Sequence, residues 1–201
     1  SAQMYPYQYG ATALHALLPP WQQEGGKEAM VARLQDPDTR AQIRQEIYGE
    51  IPTDPFFNFV MITAGGNWEK IKLVFAVAEE NQVFVGKDFY EIASIMEYDI
   101  VNSPRDAIEA FFDMVISEYT DSQTTSGTGG IQPVVILPAI YADEDMLLGL
   151  KQSWVGIASD ALALTPEGPK LHPRAFGSFA RVLGYIPGNK GSSLWSPRSI
   201  K

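Results

Sequence analysis

Two short apolar runs in the second half of the chain alternate with segments of helical character. The runs are PVVILPAI (133–140) and SWVGIAS (153–159), and the helical segments are DEDMLLGLK (143–151) and a final helix after His172-Pro173. Apolar runs of this length that are rich in Val and Ile predict buried strands. Strands that alternate with helices favour an α/β fold.

The first half of the chain predicts several helices and a few strands. Asp36 precedes Pro37, which is a typical N-cap followed by proline at the first helical position. The predicted helices cover 27–35, 37–50, 88–99 and a segment that opens at Ser103-Pro104. The predicted strands are the aromatic run that begins MYPYQYG at 4–10, FFNFVMIT at 56–63 and KIKLVFAVA at 70–78. Loops are expected at 16–26 and 119–132, where Pro, Gly, Ser and Thr are frequent.

The charge and the cysteine content exclude several classes of function. Fifteen basic and 24 acidic residues give a net charge of −9, which argues against nucleic acid or anionic lipid as a partner. Because the chain has no cysteine, it has neither disulfides nor thiolate metal ligands. No apolar run approaches the ~20 residues that span a bilayer, and the N-terminus does not have the pattern of a signal peptide. We therefore expect a soluble, cytoplasmic protein without a membrane partner.

The apolar run at 153–159 leads directly to a carboxylate, Asp160. This pattern predicts that Asp160 lies at the carboxyl end of a strand, which is where α/β folds bind ligands. A carboxylate in that position can act as a general base that takes a proton from water. Alternatively, Asp160 caps a loop or the following helix.

A second group of candidate residues lies in the His-Pro-Arg sequence that follows. The guanidinium of Arg174 suits a substrate carboxylate because it offers two parallel donors and a permanent charge. Equally, Arg174 is a surface residue at a helix start. His172 is a candidate ligand or base, whereas His15 lies among Ala and Leu and is expected to be structural. Two isolated histidines do not build an ordinary zinc site.

Two tyrosines, Tyr5 and Tyr7, flank Pro6 near the start of the chain. Side chains two residues apart on a strand point to the same face, so both hydroxyls would reach one pocket. The alternative is an aromatic pair in the core.

Several stretches of the sequence, taken in their order along the chain, resemble a known family. They include YPYQYGATAL (5–14), ALLPPW (16–21), SWVGIASDA (153–161) and HPRAFGSFARVLG (172–184). This order resembles the N-acyl-D-amino-acid deacylases (D-aminoacylases) of the amidohydrolase superfamily, over roughly residues 4–185. The resemblance implies a metal-dependent (β/α) barrel that hydrolyses the amide bond of an N-acyl-D-amino acid.

The resemblance also implies a role for each candidate residue. Asp160 corresponds to the family's catalytic base on the last barrel strand, where it activates a zinc-bound water. Arg174 would hold the substrate carboxylate, and Tyr7 would line the substrate pocket. His172 would contribute to substrate binding. The segment 20–150 corresponds to an insertion that covers the mouth of the active site.

The sequence departs from the family at its metal site and at its tail. The family's His-x-His ligands lie upstream of the Tyr-Pro-Tyr strand, so this chain is expected to hold no metal. It would comprise the C-terminal part of a catalytic domain (1–185), a partial rather than a complete eight-stranded barrel, followed by an atypical tail (186–201). We expect a chain that is inactive alone. The alternative is a non-catalytic α/β module that forms homo-oligomers or pairs with a chain that carries the missing strands.

Overall fold

The chain has a mixed α/β fold, as the sequence predicts. The computed structural model describes residues 1–54, 58–125, 131–138, 142–161 and 172–185. It divides into two units, one comprising Ser1–Gly10 with Ala139–Lys201 and the other comprising Ala11–Pro138. We call these the terminal unit and the inner unit. The inner unit overlaps the segment 20–150 that the resemblance assigns to an insertion.

The described residues of the terminal unit form one small sheet and two helices. Strand β1 (Ala2–Met4) pairs in parallel with strand β5 (Val155–Ile157). The helices are α7 (Asp143–Leu150) and α8 (Arg174–Ala180), and a π-helical turn (Arg181–Tyr185) continues α8. Among the residues that the structure describes, the apolar core of this unit is small. It consists of the buried residues Met146 and Val182, against which Met4, Leu147, Leu150 and Ile157 pack.

The inner unit combines most of the helices with a three-stranded sheet. The sheet has the order β2 (Gly10–Ala13), β4 (Val134–Leu137) and β3 (Lys72–Phe75), and β3 and β4 are antiparallel. The helices are α1 (Pro20–Gln23), α2 (Gly26–Gln35), α3 (Pro37–Ile47), α4 (Phe59–Ala64), α5 (Phe89–Ile95) and α6 (Ala107–Thr120). Short 3₁₀ turns lie at Leu14–Leu17, Trp68–Lys70, Glu79–Phe84 and Pro104–Asp106.

Helix α6 is the centre of the inner core because its apolar residues recur at helical spacing. Ile108, Phe111, Phe112 and Val115 are all fully buried and form one apolar stripe along the helix. The Phe111 ring stacks on Trp68 with the ring centroids 5.2 Å apart. Phe111 therefore joins α6 to the turn that leads into β3.

A buried carboxylate on α6 fixes the chain that follows β3. The Glu118 side chain is completely buried. One of its oxygens accepts hydrogen bonds from the backbone N–H groups of Val77 (2.7 Å) and Ala78 (3.3 Å), and the other accepts from the Asn81 side chain (2.9 Å). Burial raises the pKa of Glu118, although these hydrogen bonds oppose the shift.

Ion pairs link α3 and α6 on the outside of the inner unit. Arg40 pairs with Glu109 (3.3 Å) and Asp113 (2.6 Å), and Arg44 pairs with Asp106 (2.5 Å) and Glu109 (3.5 Å). All five side chains are partly buried. Such a network keeps the register of the two helices because each arginine has two acidic partners.

The predicted strand at 56–63 is wrong. Residues 56–57 lie outside the described residues, and Phe59–Ala64 form helix α4. The side chain of Asn58 caps this helix by accepting a hydrogen bond from the Met61 N–H, and Gly65 ends it in the left-handed conformation. These two capping residues outweigh the β-propensity of the aromatic and branched residues.

The predicted strand at 153–159 is shorter and less buried than expected. Only Val155–Ile157 are in a strand, and their side chains are half-buried or exposed. The expectation that Tyr5 and Tyr7 share one face of a strand is also wrong, because β1 ends at Met4. The predicted helices and the strands β3 and β4 are confirmed, with ends that differ by a few residues, whereas the predicted loop at 16–26 is wrong in part because it contains helix α1.

Candidate functional site

The candidate site lies in the terminal unit, where the segment from Tyr5 to Tyr9 contacts the start and one face of α8. Asp160 approaches this helix from the chain that follows β5. The structure thus brings together the four candidate residues, which the sequence separates by up to 167 positions from Tyr7 to Arg174. We call this group of side chains the α8 cluster. It comprises Tyr5, Tyr7, Asp160, His172, Arg174 and Arg181.

Asp160 lies three residues beyond the carboxyl end of β5, as the sequence predicts. Its φ angle is 47°, in the left-handed region that residues other than glycine seldom adopt, although aspartate is among the most tolerant of them. The side chain is 67% exposed. Asp160 therefore presents a carboxylate to solvent from a constrained backbone, which is the accessibility that a general base needs.

Arg174 is the partner of this carboxylate. Its Nη1 atom lies 3.0 Å from Oδ2 of Asp160, and only 13% of its side chain is exposed. The guanidinium carbon lies 4.8 Å from the centre of the Tyr5 ring. A guanidinium over an aromatic face is stabilised by the ring quadrupole and is held in one plane. Arg174 therefore offers an oriented positive group beside Asp160.

A second arginine, Arg181, makes similar contacts seven residues further along the chain, in the turn that follows α8. The Arg181 guanidinium carbon lies 4.9 Å from the centre of the Tyr7 ring, and its Nε donates to the Pro6 carbonyl at 2.7 Å. Burial raises the pKa of Tyr7, and the charge of Arg181 partly offsets the shift. Gly177 lies between the two arginines, and a Cβ there would be only 2.5 Å from the Tyr7 hydroxyl.

The His172 ring contacts both Tyr5 and Tyr7 in the α8 cluster. The residue is 5% exposed. Its ring meets the Tyr7 ring edge-on with the centroids 5.3 Å apart, and the Tyr5 ring at 6.2 Å. Nε2 lies 3.0 Å from the Tyr9 carbonyl oxygen, and Nδ1 lies 3.0 Å from the Arg174 backbone nitrogen. Both ring nitrogens are therefore engaged.

His15 is structural, as expected from the sequence. It lies in a 3₁₀ turn of the inner unit, and its Nδ1 shares a hydrogen bond with the Tyr119 hydroxyl. Burial lowers the pKa of His15 and raises that of Tyr119. The neutral forms of both groups are therefore favoured in the folded chain.

The zinc ion that the resemblance implies does not fit the residues around Asp160. A zinc site needs three or four nitrogen, sulfur or carboxylate ligands, whereas the whole sequence has two histidines and no cysteine. The nearest histidine has both ring nitrogens engaged, and Arg174 places a positive charge beside the carboxylate. Within the described ranges, no group of three or more His, Asp or Glu side chains is arranged to hold a metal ion.

Sequence reasoning missed Arg181 as a member of the cluster, and it named Tyr5 only together with Tyr7, as a pocket or core side chain. A signal for Arg181 exists, since Arg174, Gly177 and Arg181 recur at positions i, i+3 and i+7 and so share one helical face. The contact of Tyr5 with Arg174 has no such signal in the sequence, because the two residues are far apart along the chain.

Comparisons with known proteins do not assign this chain to a family. No family model matches it, and neither a curated protein nor a solved structure matches it. Among the helices of the described residues, none is long and apolar enough to cross a bilayer.

Proposed function

We propose that this chain is the C-terminal part of the catalytic domain of an amidohydrolase that resembles the N-acyl-D-amino-acid deacylases. Its fold would be a partial (β/α) barrel of the amidohydrolase type with an α/β insertion. The parallel pairing of β1 and β5 supports this proposal, because consecutive strands of such a barrel are parallel neighbours. The separation of Ala11–Pro138 as its own unit agrees with an insertion between these strands. A cytoplasmic location remains a prediction from the sequence.

The observation that carries the proposal is the contact between Arg174 and Asp160. Hydrolysis of an N-acyl amino acid needs a cation for the substrate carboxylate and a base that takes a proton from water. The Arg174 guanidinium is oriented by Tyr5, and the Asp160 carboxylate is largely exposed beside it. In the absence of substrate, the Asp160 carboxylate forms an ion pair with Nη1 of Arg174. A substrate carboxylate would take its place there and would release Asp160 to act on water.

The chain alone is expected to bind such a substrate without hydrolysing it. The family relies on zinc to activate water, and the described residues near Asp160 do not fit that ion. We therefore expect no release of D-leucine from N-acetyl-D-leucine, with or without added zinc. Turnover that Asp160→Asn abolishes would contradict this expectation.

Substitution of Asp160 is expected to strengthen carboxylate binding. Asp160→Asn removes the competitor for Arg174, and an exposed ion pair contributes about 0.2–1 kcal/mol, so the dissociation constant of N-acetyl-D-leucine should fall by up to about fivefold. Arg174→Gln should abolish binding. The measurement is a titration followed by the ¹⁵N NMR signals of the arginine Nε–H groups, with N-acetyl-D-leucinamide as the ligand that lacks the carboxylate.

Arg105 of the inner unit provides a matched control. Its Nη1 lies 2.7 Å from a Glu50 carboxylate oxygen, and its guanidinium carbon lies 4.6 Å from the centre of the Tyr48 ring. Arg105→Gln and Glu50→Gln thus remove the same interactions from a site without a proposed role, and they should leave the dissociation constant unchanged. Equal effects at the two sites would mean that the ligand responds to total charge, which would overturn the proposal.

The second candidate is a non-catalytic module that self-associates or pairs with another chain. It is favoured by the apolar surface of the terminal unit. Within the described residues, β1 and β5 form a two-stranded sheet, so each has an edge that no described strand pairs with. The large apolar side chains that are more than half exposed include Leu148, Trp154, Phe176, Phe179 and Leu183.

Self-association of this kind is expected to depend on α8. Sedimentation velocity should show the fraction of dimer or larger species rising with concentration. Phe176→Ser combined with Phe179→Ser should lower that fraction because it removes two exposed rings. Val83→Ser and Val101→Ser, at exposed positions of the inner unit, are the control. A chain that stays monomeric at millimolar concentration would rule out the homo-oligomer.

A further inference from the structure

The bonding of His172 determines which of its nitrogens carries the proton. The Arg174 backbone N–H is a donor, so Nδ1 must accept and cannot carry a hydrogen. The Tyr9 carbonyl is an acceptor, so Nε2 must donate. The two contacts together select the neutral ring with its hydrogen on Nε2.

The same two contacts determine where α8 begins. Arg174 is the first residue of the helix, and the preceding Pro173 has no hydroxyl, amide or carboxylate with which to cap it. The His172 ring satisfies the first free N–H of the helix and ties it to the backbone at Tyr9. The position of the Arg174 side chain over Tyr5 therefore depends on a ring that is itself buried between two tyrosines.

We infer that His172 is a positioning residue whose neutral ring holds Arg174 in place for an anionic ligand, so that acidification weakens this anion site. The inference rests on the proposed function of Arg174 in carboxylate binding. His172 therefore acts through Arg174, and this role differs from the direct substrate contact that the family resemblance implies. The reason for the acid sensitivity is that a proton on Nδ1 would turn an acceptor into a donor facing the Arg174 N–H.

The surroundings of His172 favour the neutral ring. Burial and then the positive charge of Arg174 lower its pKa, whereas the Tyr9 carbonyl and Asp160 oppose the shift. Among the described residues, the other titratable side chains that face the ring are those of Tyr5 and Tyr7, and a phenol is ordinarily uncharged at neutral pH. Protonation would therefore place two positive charges at the start of α8.

The predicted dependence on pH is opposite to that of simple charge attraction. Adding positive charge to a site strengthens anion binding in general. Here the dissociation constant of N-acetyl-D-leucine should rise about threefold or more as the pH falls from 7.5 through the titration midpoint of the His172 ring, because Arg174 is displaced while the ligand stays ionised. Binding that strengthens or stays constant on acidification would overturn the inference.

Two variants of His172 separate positioning from general stability. In His172→Asn the side-chain oxygen can take the place of Nδ1 and accept from the Arg174 N–H, so binding should be retained and should no longer depend on pH. In His172→Gln the amide can take the place of Nε2 and donate to Tyr9, but the Arg174 N–H loses its acceptor. Binding should then be about threefold or more weaker at every pH. Equal binding by the two variants would contradict the inference.

A measurement without ligand keeps the inference separate from the proposed function. The ¹⁵N NMR signals of the Arg174 backbone N–H and Nε–H should shift with the same midpoint as the His172 ring in the original chain, and should stay constant in His172→Asn. If these signals respond but no carboxylate binds at any pH, the proposed function fails and the positioning role stands. If Arg174 does not respond when His172 is protonated, the inference fails whatever the ligand does.

Discussion

Replacement of Phe111 by alanine is expected to destabilise the inner unit by about 3–5 kcal/mol, since it removes a fully buried ring from a packed core. The Phe111 ring contacts three other aromatic side chains, with centroid distances of 5.2 Å to Trp68, 5.8 Å to Phe89 and 5.6 Å to Phe112. None of these rings can collapse into the cavity without breaking its own contacts. Urea unfolding followed by tryptophan fluorescence measures the effect as a lower midpoint.

Two further phenylalanine substitutions are controls for the loss of stability in Phe111→Ala. Phe111→Leu refills much of the space and should cost about 1–2 kcal/mol. Phe176→Ala removes the same atoms from a side chain that is 61% exposed, and it should change the stability by less than about 0.5 kcal/mol. A loss at Phe111 no larger than the loss at Phe176 would mean that the aromatic cluster does not form the core of the inner unit.

The second large effect is expected at Glu118. Glu118→Ala leaves the backbone N–H groups of Val77 and Ala78 without their acceptor, whereas the Asn81 amide keeps its hydrogen bond to the Ser117 hydroxyl (2.9 Å). Because each buried donor without a partner costs about 1–3 kcal/mol, the total loss should be about 2 kcal/mol or more. Hydrogen exchange at Val77 and Ala78 should accelerate as well, which would distinguish a local loss of anchoring from a general loss of stability.

Glu118→Gln is the matched control, and it also tests the ionisation of this site. Glutamine keeps an oxygen that can accept from Val77 and Ala78, so its cost should be smaller than that of alanine. Because the folded pKa of Glu118 is raised, the protonated carboxyl stabilises the fold fully below its unfolded value of about 4.5, and this contribution is lost as the pH rises through the folded pKa. The original chain should therefore lose stability relative to Glu118→Gln as the pH rises above about 4.5 and through the folded pKa. A constant difference across this range would contradict a raised pKa.

The α8 cluster shows how a small helix can be positioned by residues from the other end of the chain. Each arginine of the cluster is fixed by an aromatic ring of the Tyr5–Tyr9 segment, and His172 is fixed by a backbone carbonyl of the same segment. These contacts lie within the terminal unit, whose apolar core is small. Polar and aromatic contacts therefore supply much of the specificity that a larger core would provide.

Local sequence patterns were sufficient to predict α2, α3, α5, α6 and α7. The Asp36 cap before Pro37 and the apolar stripe of α6 are signals whose physical causes lie within a few residues. The same reasoning failed at Phe59–Ala64, where aromatic and branched residues predict a strand. The Asn58 cap and the Gly65 turn were present in the sequence as helix signals, but their effect depends on backbone hydrogen bonds that composition alone does not weigh.

The sequence by itself determined the mixed α/β class and marked Asp160, His172 and Arg174 as candidate residues, because residue type and spacing decide which chemistry and which local structure are available. Only the tertiary structure decided that Tyr5 and Arg181 join them, that His172 is buried with both nitrogens engaged, and that Asp160 meets Arg174. The physical reason is that these contacts join residues far apart in the chain. Packing around α8 determines which residues make these contacts, and the sequence on either side of each residue does not indicate them.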